Sequence, residues 1–207
     1  MSITRMLATL LALAALALPA RAEVSELKIA EQYGIGYLPL TIMKANKLVE
    51  KHLKQAGLAE TKVVWSVLAS GQPMNDALLS GNLDFAAVGV PPLVLLWSRT
   101  EGARAIRGVA ALNSYPMYLN TANPAVKSIR DFTEADRIAV PAVKVSAQAI
   151  ALQMAAARLF GESAYQKLDA LTVSMSHPDA VNALLSRSAG ITSHFTNQPF
   201  AARELKD

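Results

Sequence analysis

The feature that most constrains this chain is an alternation. Short β-branched or apolar runs give way, through junctions rich in Gly, Pro and Ser, to stretches whose apolar residues recur every three or four positions. Leu27-Lys28-Ile29-Ala30 reads as a strand. Leu38, Ile42, Ala45, Val49 and Leu53 then form one helical stripe that opens at Pro39 and ends near Gly57. Val63–Leu68 is a second strand, followed by a helix capped by Ser70 with Pro73 in its first turn. Leu83–Val88 reads as a buried strand, and Gly89-Val90-Pro91-Pro92 restarts the chain as a helix through Trp97. Further strands are expected at Ile106–Leu112 and Met117–Leu119, with a connector at Asn120–Pro124.

Beyond the connector the alternation resumes. Arg137–Val140 is a strand, and Ser146 caps a helix that runs to Phe160 and stops at Gly161. Leu171–Met175, a helix opened by Ser176-His177-Pro178-Asp179, and a strand at Ile191–Phe195 complete the pattern. Strands alternating with helices imply parallel sheets with right-handed crossovers. The expected fold class is therefore α/β, with two parallel-rich sheets flanked by helices in two lobes, residues 23–119 and 120–207. Three strands and two helices would leave the second lobe with an uncovered sheet edge, so it is read as incomplete, part of a longer protein.

The first 22 residues stand apart. Arg5 is followed by Met6–Leu18, which is apolar or small throughout except for Thr9, and Ala20-Arg21-Ala22 forms a small-x-small cleavage site. A helix of that length rises about 20 Å, short of a bilayer core of about 30 Å, so the segment reads as a secretory signal peptide. Its removal takes away Arg5 and Arg21 and lowers the formal charge from +4 to about +2. No clustered Lys/Arg surface for nucleic acid is left. The chain has no cysteine, which excludes a disulfide framework, a thiolate metal site, a cysteine nucleophile and a lipid-anchored cysteine. Export without an anchor places the mature chain in a periplasm, as a monomer.

In open α/β sheets ligands bind beyond the carboxyl ends of the strands, where helix N-termini hold anions without needing a lysine. Four junctions qualify. Tyr37 precedes the first helix, where it either stacks on a ligand or packs. Ser70, Gly71 and Gln72 bring a hydroxyl, an open backbone and an amide to the second. Gly89, Val90 and Pro91 form the third, chiefly through backbone N–H groups. Lys144, Val145 and Ser146 form the fourth, with Lys144 the one cation near any junction. His177, following a strand, is a further candidate. The other histidines, His52 and His194, read as solvated and structural, and the three share no metal-ligand spacing. No phosphate loop, nucleophile elbow or paired carboxylates occur, so neither cofactor nor metal is expected and an enzyme reading lacks a reactive group.

The order of these motifs resembles a known family. Gly36-Tyr37-Leu38-Pro39, Ser70-Gly71-Gln72, Leu79-Ser80-Gly81-Asn82-Leu83-Asp84-Phe85, Gly89-Val90-Pro91-Pro92 and then Ser146 at a helix start are similar to periplasmic solute-binding proteins of ABC importers. The branch is the one that takes nitrate, sulfonates, taurine and thiamine-precursor pyrimidines. The resemblance implies a bilobal type II binding fold that closes on a small anionic or heterocyclic solute and delivers it to a membrane permease and its ATPase. It also implies a length near 300 residues and a ligand site at Ser70–Gln72, Gly89–Pro91 and Lys144–Ser146. Where the sulfonate and taurine branch often reads glycine-serine-threonine, Val145-Ser146-Ala147 keeps only the serine. The pyrimidine synthases of this fold use a cysteine-rich motif that a cysteine-free chain lacks. An enzyme of the same fold and the sensing domain of a transcription regulator are the alternatives.

Overall fold

Apolar residues at alternating strand positions must be covered on both faces, and the chain does this twice. The computed structural model describes residues 24–68, 71–102 and 105–206, so the segment expected to be a signal peptide and Ser70 lie outside the described residues, as does the side chain of Gln72. The first sheet has the order β2-β1-β3, with β1 Glu26–Glu31 parallel to both β2 Lys62–Val67 and β3 Phe85–Ala86. Its helices are α1 Leu38–Ala45, α2 Leu48–Gln55, α3 Gly71–Leu79 and α4 Val90–Ser98. The second sheet has the order β4-β7-β5-β6, from β4 Tyr118–Thr121, β5 Ile138–Val140, β6 Thr172–Ser174 and β7 Ser193–Thr196. It carries α5 Ala147–Phe160, α6 His177–Leu185 and α7 Phe200–Lys206. Three of its strands are parallel and β4 runs antiparallel to β7. The result is the expected two-lobed α/β arrangement.

The second core shows how period two builds a layered lobe. Ile138 and Val140 turn to one face of β5 and pack with Ala149, Leu152 and Ala156 of α5. Ala139, between them, turns to the other face against Ala180, Ala183 and Leu184 of α6. Ser146 Oγ accepts from Ala149 N at 3.2 Å, as a helix N-cap should, and Gly161 ends the helix. The first lobe is thinner. Its buried cluster is Ala30, Met74 and Leu83, while Phe85, Val94, Trp97, Val109 and Leu112 are exposed.

Four sequence expectations are corrected. The single helix through Leu53 is two, α1 and α2, because the Asn46 side chain donates to Ile42 O at 2.9 Å and Lys47 turns left-handed at φ 51°. Ile106–Leu112 forms no strand: no strand of the first sheet pairs with it, and β-propensity without a ladder partner does not hold a strand. Leu83–Val88 shortens to β3, Phe85–Ala86, which pairs with β1 and is flanked by Asp84 N and Ala87 N donating to Lys28 O and Ala30 O. The strand expected at Met117–Leu119 runs on through Asn120 and Thr121, residues placed in the connector, because it pairs with β7. Among the described residues the second lobe accordingly has four strands and three α-helices. The overlooked helix, α7, packs against β4, where Asn120 Nδ2 donates to Glu204 Oε2 at 2.8 Å.

Candidate functional site

The carboxyl ends of the parallel strands of both sheets face each other, and the helices that follow point their N-termini into the gap. A cavity of about 40 Å³ lies there, room for roughly three waters. The first lobe supplies Gln32 after β1, Tyr37 before α1, Gly71 and Asn75 of α3, and Gly89 before α4. Tyr115 closes that side. The second lobe supplies Val145 and Ser146 before α5, Gln148 within it, His177 at the start of α6 and Asn197 after β7.

The lobes are in contact around this cavity. Ile35 N donates to Gln198 O at 2.7 Å. A Cβ at Gly89 would stand 3.0 Å from Ala147 Cβ, and one at Gly71 would stand 3.8 Å from Ala142 Cβ. Gly89 has φ −69°, so alanine there strains no backbone; its Cβ meets Pro91 and Pro92 at an ordinary 3.8 Å, and its one tight contact is with the opposite lobe. Gly89→Ala should therefore cost the arrangement in which the lobes touch about 1 kcal/mol, roughly a fivefold fall in its ratio to one in which they are apart. Small-angle scattering would read this as a larger average radius, with the unfolding temperature unchanged.

Of the residues singled out from sequence, Tyr37, Gly71, Gly89, Val145, Ser146 and His177 converge on the cavity. Three do not. Val90 is 73% exposed on the outer side of α4, and neither it nor Pro91 lines the cavity; Pro92, one position further round the turn, does. Lys144 is exposed and left-handed, φ 64°, and does not line the cavity. Sequence reasoning missed Gln32, Asn75, Tyr115, Gln148 and Asn197. Position alone could have found some of them: Asn75 lies one turn beyond Gly71 on the same face of α3, and Asn197 directly follows a parallel strand.

Among the described residues that line the cavity none is Lys, Arg, Asp or Glu. Its polarity comes from amides, hydroxyls and one imidazole. Asn75 Oδ1 and Asn197 Oδ1 are buried without a hydrogen-bond partner, an expensive arrangement unless something completes it. Burial, and then neighbouring Tyr115, holds the Tyr37 phenol protonated well above its usual range.

Behind the cavity lies a buried chain of three groups. His194 Nδ1 meets Glu204 Oε1, and His194 Nε2 lies 2.8 Å from His177 Nδ1. His177 Nε2, at the cavity end, is 3.4 Å from the amide nitrogens of both Gln148 and Asn197. The sequence reading kept these histidines apart; the fold puts them in contact. Burial, and then His194, lowers the His177 pKa from 6.5 to about 3. An unfolded chain binds this proton more readily than the folded one, so the stability from burying neutral His177 is complete above pH 6.5 and declines as pH falls toward 3. Urea midpoints measured across that window should fall with pH, and substituting His177 with Gln should flatten the part due to this group.

No family model matches the sequence, and no curated protein is similar enough to align with it. Solved structures are similar in fold. A protein from Bordetella bronchiseptica RB50 is 21% identical with a TM-score of 0.67, over 89% of this chain and 54% of its own. The alkanesulfonate-binding protein SsuA from Xanthomonas axonopodis pv. citri, solved bound to MOPS, is 20% identical with a TM-score of 0.56, over 87% of this chain and 57% of its own. The periplasmic aliphatic sulphonate binding protein SsuA from Escherichia coli is 19% identical with a TM-score of 0.50. The fold is that of periplasmic binding proteins. The chain spans little more than half the length of these structures. Within the periplasmic-binding-protein fold, the gap between the two sheets is where the cavity described above lies.

Proposed function

We propose that this chain is the solute-capturing part of an extracytoplasmic binding protein that serves an ABC importer. The observation that carries the reading is the cavity itself: helix N-termini and dehydrated polar groups from both lobes meet around one small space. A solute that touches both lobes binds the closed form and shifts the open–closed equilibrium toward it, in proportion to its differential affinity. The protein with this fold from Xanthomonas axonopodis is named for alkanesulfonate binding, which supports a small anionic solute of the sulfonate, nitrate or taurine kind, with a heterocycle as the second class. The further partners in this reading are a permease and its ATPase, and the site of action is the periplasm, with the chain a monomer.

Thermal shift against ethanesulfonate, taurine, nitrate and a hydroxymethylpyrimidine tests the proposal. A solute at 100 times its Kd stabilises the chain by about 2.7 kcal/mol. Stabilisation by one class and not the others supports the reading. Turnover of any of these solutes, or indifference to all of them at millimolar concentration, overturns it.

A further inference from the structure

The Glu204 side chain is 1% exposed and the His194 side chain 0%. A carboxylate taken out of water needs a partner, and the polar groups that reach this one are His194 Nδ1 and Asn120 Nδ2. The chain from Glu204 through His194 to His177 therefore has two self-consistent hydrogen-bond patterns, which differ by one proton. In the first, Glu204 is ionised and both histidines are neutral. His194 donates from Nδ1 to the carboxylate and accepts at Nε2 from His177 Nδ1–H, leaving His177 Nε2 as an acceptor at the cavity end, faced by the amide nitrogens of Gln148 and Asn197. In the second, a proton has bonded to His177 Nε2 while the His177 Nδ1 proton has moved to His194 Nε2. The bonds formed are Nε2–H on each ring, and the bond broken is Nδ1–H on His177. His194 is now an imidazolium paired with Glu204, His177 is still neutral, and its Nε2–H donates at the cavity end, where the Gln148 and Asn197 amides must turn their oxygens toward it; Asn197 Oδ1 has no other partner. The net charge of the three groups goes from −1 to zero.

We propose that Glu204, His194 and His177 act as a one-proton relay that sets the hydrogen-bonding polarity of the cavity, so that an anionic solute is taken up together with one proton. The geometry supports this on three counts. The three groups are in continuous hydrogen-bond contact, and only their His177 end lines the cavity. No fixed cation lines the cavity among the described residues, so the relay is the group there that can remove a negative charge when an anion arrives. The His177 ring is held in place by Phe200, stacked at 5.4 Å between centroids, so a change of protonated nitrogen needs no change of ring position. The titratable groups facing His177 are His194 from β7 and, across the cavity from the first lobe, Tyr37 and Tyr115. Asp179, on its own helix, is turned to Ser176. His194 and Glu204 are positioning residues, acting on the solute through His177.

The relay is testable without a solute. In the full chain labelled with ¹⁵N-histidine, two-bond ¹⁵N–¹H correlation spectra from pH 5 to 9 report which ring nitrogens carry protons. The expected result is one shared midpoint, at which His194 becomes doubly protonated and the His177 proton moves from Nδ1 to Nε2. Glu204→Gln, which keeps the shape but cannot form the ion pair, should lower that midpoint by at least one pH unit. Separate midpoints, or a His177 that keeps the same protonated nitrogen throughout, overturn the relay. The coupling to solute rests on the binding-protein reading and is read with ethanesulfonate. Above the midpoint its affinity should rise about tenfold for each pH unit lowered, and a pH-independent affinity overturns the coupling. A relay that switches as described, in a chain that ethanesulfonate does not bind at any pH, stands on its own and counts against the sulfonate class instead.

Discussion

Gly34→Ala should destabilise the protein by about 2–5 kcal/mol and lower its unfolding temperature by about 5–15 °C. Gly34 has φ 116° and ψ 171°, a backbone region that only glycine occupies at low cost. A Cβ there would also stand 2.2 Å from Asn197 Oδ1 and 2.9 Å from its Cγ. Asn197 is 1% exposed, and the space open to its amide is the small cavity that it lines. The next residue, Ile35, makes the backbone hydrogen bond to Gln198 that joins the lobes, so the clash falls on the seam of the closed cleft. Gly57→Ala is the control: Gly57 has φ 79° but open space around it, so it carries strain without a clash, about 1–2 kcal/mol. Denaturant midpoints for the two variants separate strain from contact. Equal losses would show that Asn197 yields freely and that the seam is soft.

The second large effect is expected at Asp136, which is 1% exposed. Its carboxylate accepts from Thr133 N and Thr133 Oγ1 at 3.0 and 3.2 Å, from Asn123 Nδ2 at 2.8 Å and from Thr192 Oγ1 at 3.1 Å. Burial alone would raise its pKa, but these donors together hold it below the usual carboxylate value. Asp136→Ala strands several donors at once and should cost about 3–5 kcal/mol. Asp136→Asn keeps one acceptor oxygen and should cost less. The pH sign follows from the lowered value: this contribution is present above pH 3.8 and is lost as pH falls below it. Because Asn123 follows β4 and Thr192 precedes β7, the alanine variant should also loosen β7, the strand that carries His194. Hydrogen exchange at Ser193–Thr196 would show this.

What could be read from the sequence depended on whether a signal was local. The β5–α5 unit was legible because Ile138-Ala139-Val140, the Ser146 cap and the Gly161 stop each act within a few residues. So were the strand–helix junctions, and with them six of the residues that line the cavity. The break at Asn46 was hidden because a side chain there competes for a backbone carbonyl inside an intact apolar stripe. The run at Ile106–Leu112 has the composition of a strand, but strandedness depends on a neighbour that composition does not contain. The relay was the least legible part. His177 and His194 are 17 residues apart and Glu204 a further 10, spacings that match no motif and become contacts only once α6, β7 and α7 pack together. Lys144 is the opposite case: its charge is a local signal for a ligand, yet the residue is exposed and does not line the cavity.

The unequal cores of the two lobes also bear on how the molecule comes apart. With a buried cluster of only Ala30, Met74 and Leu83 and with Trp97 and Val109 facing solvent, the half built on β1 has little to hold it once the Ile35–Gln198 link opens. A protease in mild denaturant should therefore nick the amino-terminal half first and leave residues from about Tyr118 onward as a resistant piece that keeps the histidine pair and Glu204 but has lost the opposing wall of the cleft.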